Sequence, residues 1–108
     1  MATTDYSLDR GLPSSMDAER SILGAILLDN AAYYDASESL RADEFSLDSH
    51  RRIFARISDM MEASRAVDII TLSEELRTQQ QLEAVGGVAY LASLTDGIPP
   101  RANIGHYV

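Results

Sequence analysis

The segment Met16–Leu28, MDAERSILGAILL, shows the clearest pattern of polar and apolar positions in the chain. Its first turn is polar, but from Ile22 onward no polar side chain occurs before Asp29. A helix that is apolar on every side is one that other helices surround. Gly24 in mid-helix costs about 1 kcal/mol relative to alanine, so we expect a neighbouring helix to pack closely against it. The pattern predicts the central helix of a small all-α domain, over about 15–28.

Two further helices are indicated in the part of the chain that follows. A weaker apolar pattern covers about 31–40, and the connection after it contains Phe45, which is predicted to be an apolar plug. Apolar residues at helical spacing then predict a third helix over about 48–62. Asp48 or Ser49 is expected to cap that helix.

The C-terminal half of the chain predicts two more helices, separated by turn signals. Asp68 is a candidate cap for the fourth helix, and Thr71–Glu74 matches the T-x-x-E capping box. This helix is predicted to end at Gln79–Gln81. Gly86–Gly87 indicates a turn, after which a short fifth helix is predicted over Val88–Leu94.

Both ends of the chain differ in pattern from this bundle. Residues 1–12 show no hydrophobic period and are predicted to be a disordered tail. The bundle is predicted to cover 13–98 and to be followed by a proline-containing linker and a new helix capped by Asn103. Only about one turn of that helix precedes Val108, and a single turn is not stable alone. We therefore expect a piece of a longer protein, with 99–108 as the linker and the first turn.

The composition excludes several classes of protein. Cysteine is absent, which excludes disulfide scaffolds and thiolate metal sites and fits a cytoplasmic protein. The chain has no apolar run of about 18 residues and no signal peptide, so we predict neither a membrane span nor secretion. The net charge is −8, and an acidic domain repels phosphate backbones unless its basic residues cluster. The one arginine cluster, Arg51, Arg52 and Arg56, is interpreted as a solvated helix face.

The inventory of reactive side chains does not indicate an enzyme. The chain has no lysine, so it lacks the residue with which a phosphate-binding loop reaches a nucleotide. Its two histidines, His50 and His106, are far apart in sequence, and a zinc site would need both of them plus carboxylates. His50 falls in the first turn of a predicted helix and is interpreted as a cap or a packing residue. We expect no catalytic, cofactor-binding or metal site in this chain.

A helix-turn-helix DNA-binding domain is the main alternative to a protein-interaction module. The sequence TLSEEL at Thr71–Leu76 resembles the first helix of that motif, which would make Val88–Leu94 the helix that enters the major groove. That segment carries no Arg, Lys, Asn or Gln with which to contact base edges. It is therefore interpreted as a packing helix, although an autonomous regulatory or DNA-binding domain stays a hypothesis.

Several groups of residues together resemble the N-terminal domain of the bacterial DnaB-type replicative DNA helicase. They are Leu12-Pro13-Ser14 with AERSILG at 18–24, LD at 28–29, DEF at 43–45 with His50 and Ile53-Phe54, VDIITL at 67–72, QLEAVGG at 81–87 with Tyr90-Leu91, and Pro99 followed by Ala102-Asn103-Ile104 and Tyr107. They extend in this order from about residue 12 to residue 108. The family's domain is a small helical bundle followed by a long helical hairpin. The resemblance thus implies a small orthogonal bundle of about five or six helices, truncated before the hairpin.

The resemblance also implies a role in DNA replication in the bacterial cytoplasm. The parent protein would be a hexameric helicase that unwinds duplex DNA at the replication fork. Its ATP and magnesium sites would lie in a C-terminal domain outside this chain. The domain in hand would help to form the N-terminal collar and would bind the C-terminal domain of primase, with little direct contact to DNA. The candidate partner-binding residues are Tyr90, Asn103, His106 and Tyr107.

Tyr90 has two possible roles. It belongs to the shared stretch GGVAYL, next to the hairpin where primase is expected to dock, but it could also be a core tyrosine with its hydroxyl at the rim.

Because only the first turn of the hairpin is present, we expect the chain alone to be a monomer or at most a weak dimer. A gene that continues past Val108 into a G-x-x-x-x-G-K-[ST] motif would favour the helicase over an autonomous domain.

Overall fold

The computed structural model describes residues 16–96, and every regular element within that range is a helix. The elements are α1 (Met16–Leu28), α2 (Ala32–Ser39), a 3-10 helix (Ala42–Glu44), α3 (Asp48–Glu62), α4 (Ile69–Thr78) and α5 (Gly87–Ser93). None of these helices is long and apolar enough to cross a membrane. The predicted all-α fold is confirmed. The tail at 1–12, the Asn103 cap and the segment 99–108 lie outside the described residues, so the proposed domain boundaries stay predictions.

Helix α1 lies at the centre of the bundle, as the apolar pattern predicted. All of its residues from Ile22 to Leu27 are buried, including Gly24, and it packs against α2 and α3. In α3, Ile53 and Ile57 are both fully buried and belong to the same core. Phe45, the predicted plug, is only 1% exposed. Residues from every α-helix thus contribute to one hydrophobic core.

The starts of α3 and α4 differ in detail from the sequence-based predictions. Neither Asp48 nor Ser49 caps α3: the helix begins at Asp48 itself, and Leu47 precedes it in extended conformation without a side-chain capping bond. The cap of α4 is Asp68, as predicted, since its Oδ1 accepts a hydrogen bond from the Thr71 N–H at 2.8 Å. Thr71 Oγ1 in turn accepts from the Asp68 N–H at 2.9 Å. The capping box is therefore Asp68–Thr71, and the T-x-x-E match three residues later is not used.

Asn30 fixes the corner between α1 and α2 to the segment that precedes α4. Its amide Nδ2 donates to the Ile26 carbonyl at 2.9 Å and to the Val67 carbonyl at 2.7 Å. Its Oδ1 accepts from the Val67 N–H at 2.9 Å. One side chain thereby satisfies a carbonyl at the end of α1 and both backbone groups of Val67. The buried backbone of Val67 is thus hydrogen-bonded although it belongs to no helix or strand.

The turn before α5 needs glycine for two reasons. Gly86 has φ +108° and Gly87 has φ +74°, a region in which residues with a side chain are strained. A Cβ placed on Gly86 would also lie 2.8 Å from the Tyr90 Cβ. The turn and the helix that follows it therefore approach each other closely. Helix α5 begins at Gly87, one residue earlier than predicted.

We predict that Gly24→Leu destabilises the domain. Gly24 is buried in the middle of the central helix, and added methylene groups in a packed core typically cost roughly 1–3 kcal/mol. The free energy of unfolding, measured in urea, should fall by that amount. The matched control is Ala89→Leu, because Ala89 is an exposed small residue in a helix and leucine should be tolerated there. Equal stability of both variants would show that no element packs closely against Gly24.

Candidate functional site

Glu19 is fully buried, although it belongs to the polar first turn of α1. Its Oε2 accepts hydrogen bonds from both the N–H and the O–H of Ser46, each at 2.7 Å. Its Oε1 lies 2.7 Å from His50 Nδ1. A carboxylate leaves water only where donors replace it, and here three donors surround the two oxygens. The polar appearance of this turn in the sequence therefore conceals a buried connection from α1 to the start of α3.

The imidazole of His50 is also fully buried and connects Glu19 to Tyr90. Its Nε2 lies 2.6 Å from the Tyr90 hydroxyl oxygen. A carboxylate can only accept, so Nδ1 carries the hydrogen that Glu19 receives. In the neutral ring, Nε2 is then the acceptor for the Tyr90 O–H. His50 does not cap α3; it is a packing residue, one of the two roles predicted for it, with both of its nitrogens bonded.

Tyr90 is the outer end of this buried chain and is half-buried. Its ring stacks on His50, with centroids 5.9 Å apart and planes at 21°. The Arg20 guanidinium carbon lies 5.5 Å from the centroid of the Tyr90 ring, and Arg20 Nη2 donates to the Ser93 carbonyl at 3.4 Å. A cation above an aromatic ring is attracted by the negative face of the ring. Arg20 and Tyr90 thus hold each other at the surface between α1 and α5.

A small open cavity of about 270 Å³ adjoins Arg20 on the α1 and α5 side. Besides Arg20, its walls include the carboxylates Asp17 and Asp96 and the hydroxyl groups Ser21 and Ser93. Together with Tyr90, these residues define what we call the Arg20–Tyr90 face. The face offers one aromatic ring, one guanidinium and two carboxylates, which suits recognition of a polar protein surface.

The order carboxylate, imidazole, hydroxyl in Glu19, His50 and Tyr90 is also the order of a nucleophilic triad. A nucleophile is activated by an adjacent general base, by a lowered pKa or by a metal ion. Here burial raises the pKa of the Tyr90 hydroxyl above its usual value, and the nearby Arg20 opposes this only in part. The Tyr90 hydroxyl faces the buried His50, so this network orients the Tyr90 side chain. Among residues 16–96, no group of three or more His, Asp or Glu side chains is arranged to hold a metal ion.

The arginine cluster on α3 is engaged with its own chain. Arg51 Nη1 donates to the Phe45 carbonyl at 2.7 Å. The other two arginines form ion pairs along the helix, Arg52 with Asp48 at 2.7 Å and Arg56 with Asp59 at 3.0 Å. The interpretation of this cluster as a solvated helix face fits these contacts.

The structure describes only one of the four candidate partner-binding residues. Tyr90 lies at the surface, but its hydroxyl points inward to His50 and not to the rim of the core. The other three candidates, Asn103, His106 and Tyr107, lie outside the described residues. Glu19 and Arg20 also belong to this site, although the sequence pattern did not indicate them. The only sequence feature that could have indicated the site is the acidic Glu19 next to the apolar part of α1. Acidic residues also occur in the first turn of ordinary helices, so this feature is not specific.

We predict that Glu19→Gln destabilises the domain although it preserves the shape of the side chain. The amide nitrogen of glutamine is a donor, so it would face a donor of Ser46 or His50 and leave it unsatisfied. An unsatisfied buried hydrogen-bonding group costs about 1–3 kcal/mol. Asp17→Asn is the control, because Asp17 is an exposed carboxylate in the same turn. Urea unfolding should separate the two variants. Equal, small losses would mean that the buried carboxylate adds nothing to stability.

We predict that Tyr90 makes the domain sensitive to alkaline pH. Because burial raises the pKa of Tyr90 in the folded state, its contribution to stability is complete below the ordinary tyrosine value of about 10. That contribution is lost as the pH rises through the folded-state pKa. Between pH 8 and pH 11, the free energy of unfolding should fall less in Tyr90→Phe than in the unchanged protein. Tyr34→Phe, at an exposed ring, is the control, and an equal fall in all three proteins would contradict the prediction.

Comparison with known proteins agrees with the helical architecture. The family model described as DnaB-like helicase N terminal domain matches residues 11–108. The replicative DNA helicase DnaB of Treponema pallidum (strain Nichols) is 44% identical over 95 residues, which cover 88% of this chain and 22% of that protein. The replicative DNA helicase DnaB of Geobacillus stearothermophilus is 40% identical over 95 residues, which cover 88% of this chain and 21% of that protein. The chain spans about a fifth of the length of these relatives.

A solved structure shows the same fold. The crystal structure of the N-terminal domain of DnaB helicase from Mycobacterium tuberculosis superposes with a TM-score of 0.84 and 34% sequence identity, over 88% of this chain and 66% of that one. The family model covers almost the entire chain, and the fold agrees with it. The chain belongs to the DnaB-like helicase N-terminal domain family.

Proposed function

We propose that this chain is the interaction and assembly domain of a replicative DNA helicase, and that it binds primase through the Arg20–Tyr90 face. The observation that carries the proposal is the buried Glu19–His50 pair, which holds Tyr90 from beneath. A domain that needed Tyr90 only for packing could place an apolar side chain there. Membership of the helicase family supplies the cellular context.

The Arg20–Tyr90 face has the properties of a contact surface for a protein. Tyrosine and arginine are enriched among the residues that dominate binding energy, because each combines a large area with directed polar groups. Tyr90 loses little freedom on binding, because its hydroxyl is bonded to His50 and its ring lies under Arg20. A side chain that is already ordered pays less entropy when a partner binds. These contacts support Tyr90, which the sequence suggested, as a partner-binding residue. They add its neighbour Arg20 as a second partner-binding residue.

Assembly and catalysis would be divided between this domain and the remainder of the helicase. We infer that the N-terminal domains pair through the helical hairpin that follows the bundle and form a collar in a hexamer. Stable interfaces bury about 1,600 Å² in total, and we infer that the hairpin supplies most of this area, so that residues 1–108 alone would form a monomer or at most a weak dimer. ATP and magnesium would bind in the C-terminal domain, where duplex unwinding takes place.

Direct DNA binding is the alternative, and the contacts of the described residues argue against it. The net charge is −8. The arginines of the α3 cluster contact carboxylates and carbonyls of their own chain. In α5, the hydroxyl of Tyr90 faces His50, and that of Ser93 donates to the Tyr90 carbonyl at 2.6 Å. The helix therefore has no free polar group for a base edge, which supports a role in protein interaction.

We predict that Arg20→Ala in the complete helicase weakens binding to purified primase about tenfold, because a contributing interface arginine is typically worth more than ~1 kcal/mol. Isothermal titration calorimetry measures the affinity. Arg20 is a better test than Tyr90, because Tyr90→Ala also leaves the Nε2 atom of the buried His50 without its hydrogen-bond partner and so lowers stability. Tyr90→Ala should weaken primase binding as well, but its melting temperature must be measured beside it.

The control is Arg52→Ala, which removes an arginine of similar exposure that pairs with Asp48 on α3. Its affinity for primase should stay unchanged. Light scattering must show hexamers for every variant, so that a loss of binding is not a loss of assembly. If Arg20→Ala binds primase as tightly as the unchanged helicase, the Arg20–Tyr90 face is not the docking surface.

A further inference from the structure

A shallow groove lies between α2, the 3-10 helix and α3, and the proposed function leaves it unused. One part of it has a volume of about 520 Å³ and an aromatic floor that includes Tyr33, Tyr34 and Phe54. The adjoining part, of about 510 Å³, is lined by the end of α2 and the 3-10 helix. Both parts share Leu40 and Arg41, so they form one continuous depression. We call it the α2–α3 groove.

The floor of the groove is an extension of the hydrophobic core. The ring centroids of Phe54 and Tyr33 are 5.8 Å apart, and those of Tyr33 and Tyr34 are 5.6 Å apart in an edge-to-face arrangement. Phe54 and Tyr33 are buried, but Tyr34 is 59% exposed. The aromatic row therefore leads from the core to an exposed tyrosine on the floor of an open groove. Aromatic side chains in such a position are typical of docking sites for a partner's apolar side chain.

The rim of the groove is acidic. Glu38, Asp43 and Glu44 line one part, and Glu62 lines the other, against the single cation Arg41. Glu44 accepts a hydrogen bond from the Arg41 backbone N–H at 2.8 Å. The other three carboxylates make no ion pair with any residue between 16 and 96. Negative potential is thus concentrated around an apolar floor.

We propose that the α2–α3 groove binds a basic segment of another protein, which places an aromatic or aliphatic side chain against Tyr34 and its lysines or arginines beside Glu38, Asp43 and Glu62. The charge of the rim decides the kind of occupant. Nucleic acid is repelled by four carboxylates. A basic segment is attracted by them, and the aromatic floor accepts its apolar side chain.

A second copy of this chain does not fit the groove as well. Six of its seven described arginines already contact their own chain. These are Arg20, Arg51, Arg52, Arg56, Arg65 and Arg77. The seventh, Arg41, belongs to the groove itself. Within the described part of the chain, another copy therefore offers mainly acidic surface, and its one arginine outside such contacts, Arg41, lies in its own groove among carboxylates. The occupant is a protein segment of opposite charge.

The test uses three synthetic twelve-residue peptides and NMR spectra of the ¹⁵N-labelled 108-residue chain. The first peptide places a Phe-Leu pair between lysines and arginines, the second replaces Phe-Leu by Ser-Ser, and the third replaces every basic residue by glutamate. The first should shift amides of α2, the 3-10 helix and the C-terminal half of α3. The second should bind at least about fivefold more weakly, and the third should not bind.

Three substitutions show whether the groove is the site. Tyr34→Ala and Glu62→Arg should each weaken the binding of the first peptide at least about fivefold. Glu83→Arg is the control, because Glu83 is an exposed carboxylate that lines a separate cavity with Arg77 and Gln80. Arg20→Ala should also leave peptide binding unchanged, which makes this test independent of the one for primase.

Four results would overturn the proposal. Equal binding of the peptides with and without Phe-Leu would show that only charge attracts them. Amide shifts spread over the whole acidic surface, or an equal loss with Glu83→Arg, would show that no defined site exists. Shifts of the same groove amides on raising the protein concentration without peptide would identify a second copy of the chain as the occupant.

Discussion

The burial of the Glu19 carboxylate is the constraint on which the arrangement of α1, α3 and α5 depends. A buried charge is tolerated only with a full set of donors, and these come from Ser46 and His50, at and before the start of α3. The imidazole reaches further to Tyr90 on α5. Three helices that lie far apart in sequence thereby meet at one polar point inside an apolar bundle. Hydrophobic packing alone would allow small shifts between them, whereas these bonds have fixed lengths and directions.

The same constraint places a defined surface at the outer end of the network. Tyr90 cannot rotate freely while its hydroxyl is bonded to His50, and Arg20 lies over its ring. Gly86 allows the turn to approach Tyr90 closely, since any Cβ there would meet the tyrosine. The conformation of the turn, the buried pair and the surface pair therefore support one another. A face of this kind is organised before a partner arrives, which lowers the entropic cost of binding.

Local patterns in the sequence were sufficient for the helices but not for the contacts between polar side chains. The apolar run after Ile22 predicted the central helix, and Asp68 was correctly expected to cap α4. Glu19 could not be predicted to be buried, because its donors lie 27 and 31 positions away. Asn30 similarly bonds to a backbone 37 positions away. Periodicity reports which side of an element is buried, whereas a buried polar pair depends on how distant elements meet.

The two surfaces that we assign to partners are joined through the interior by one row of rings. From Tyr90 the row passes to His50, then at 6.4 Å to Phe45, at 5.1 Å to Phe54, and on to Tyr33 and Tyr34. The Arg20–Tyr90 face lies at one end and the α2–α3 groove at the other. Closely packed rings in an interior of crystalline density have little room to move independently. The row therefore fixes the positions of both faces relative to one core. Since they have no lining residue in common, the two partners that we propose would not compete for the same side chains.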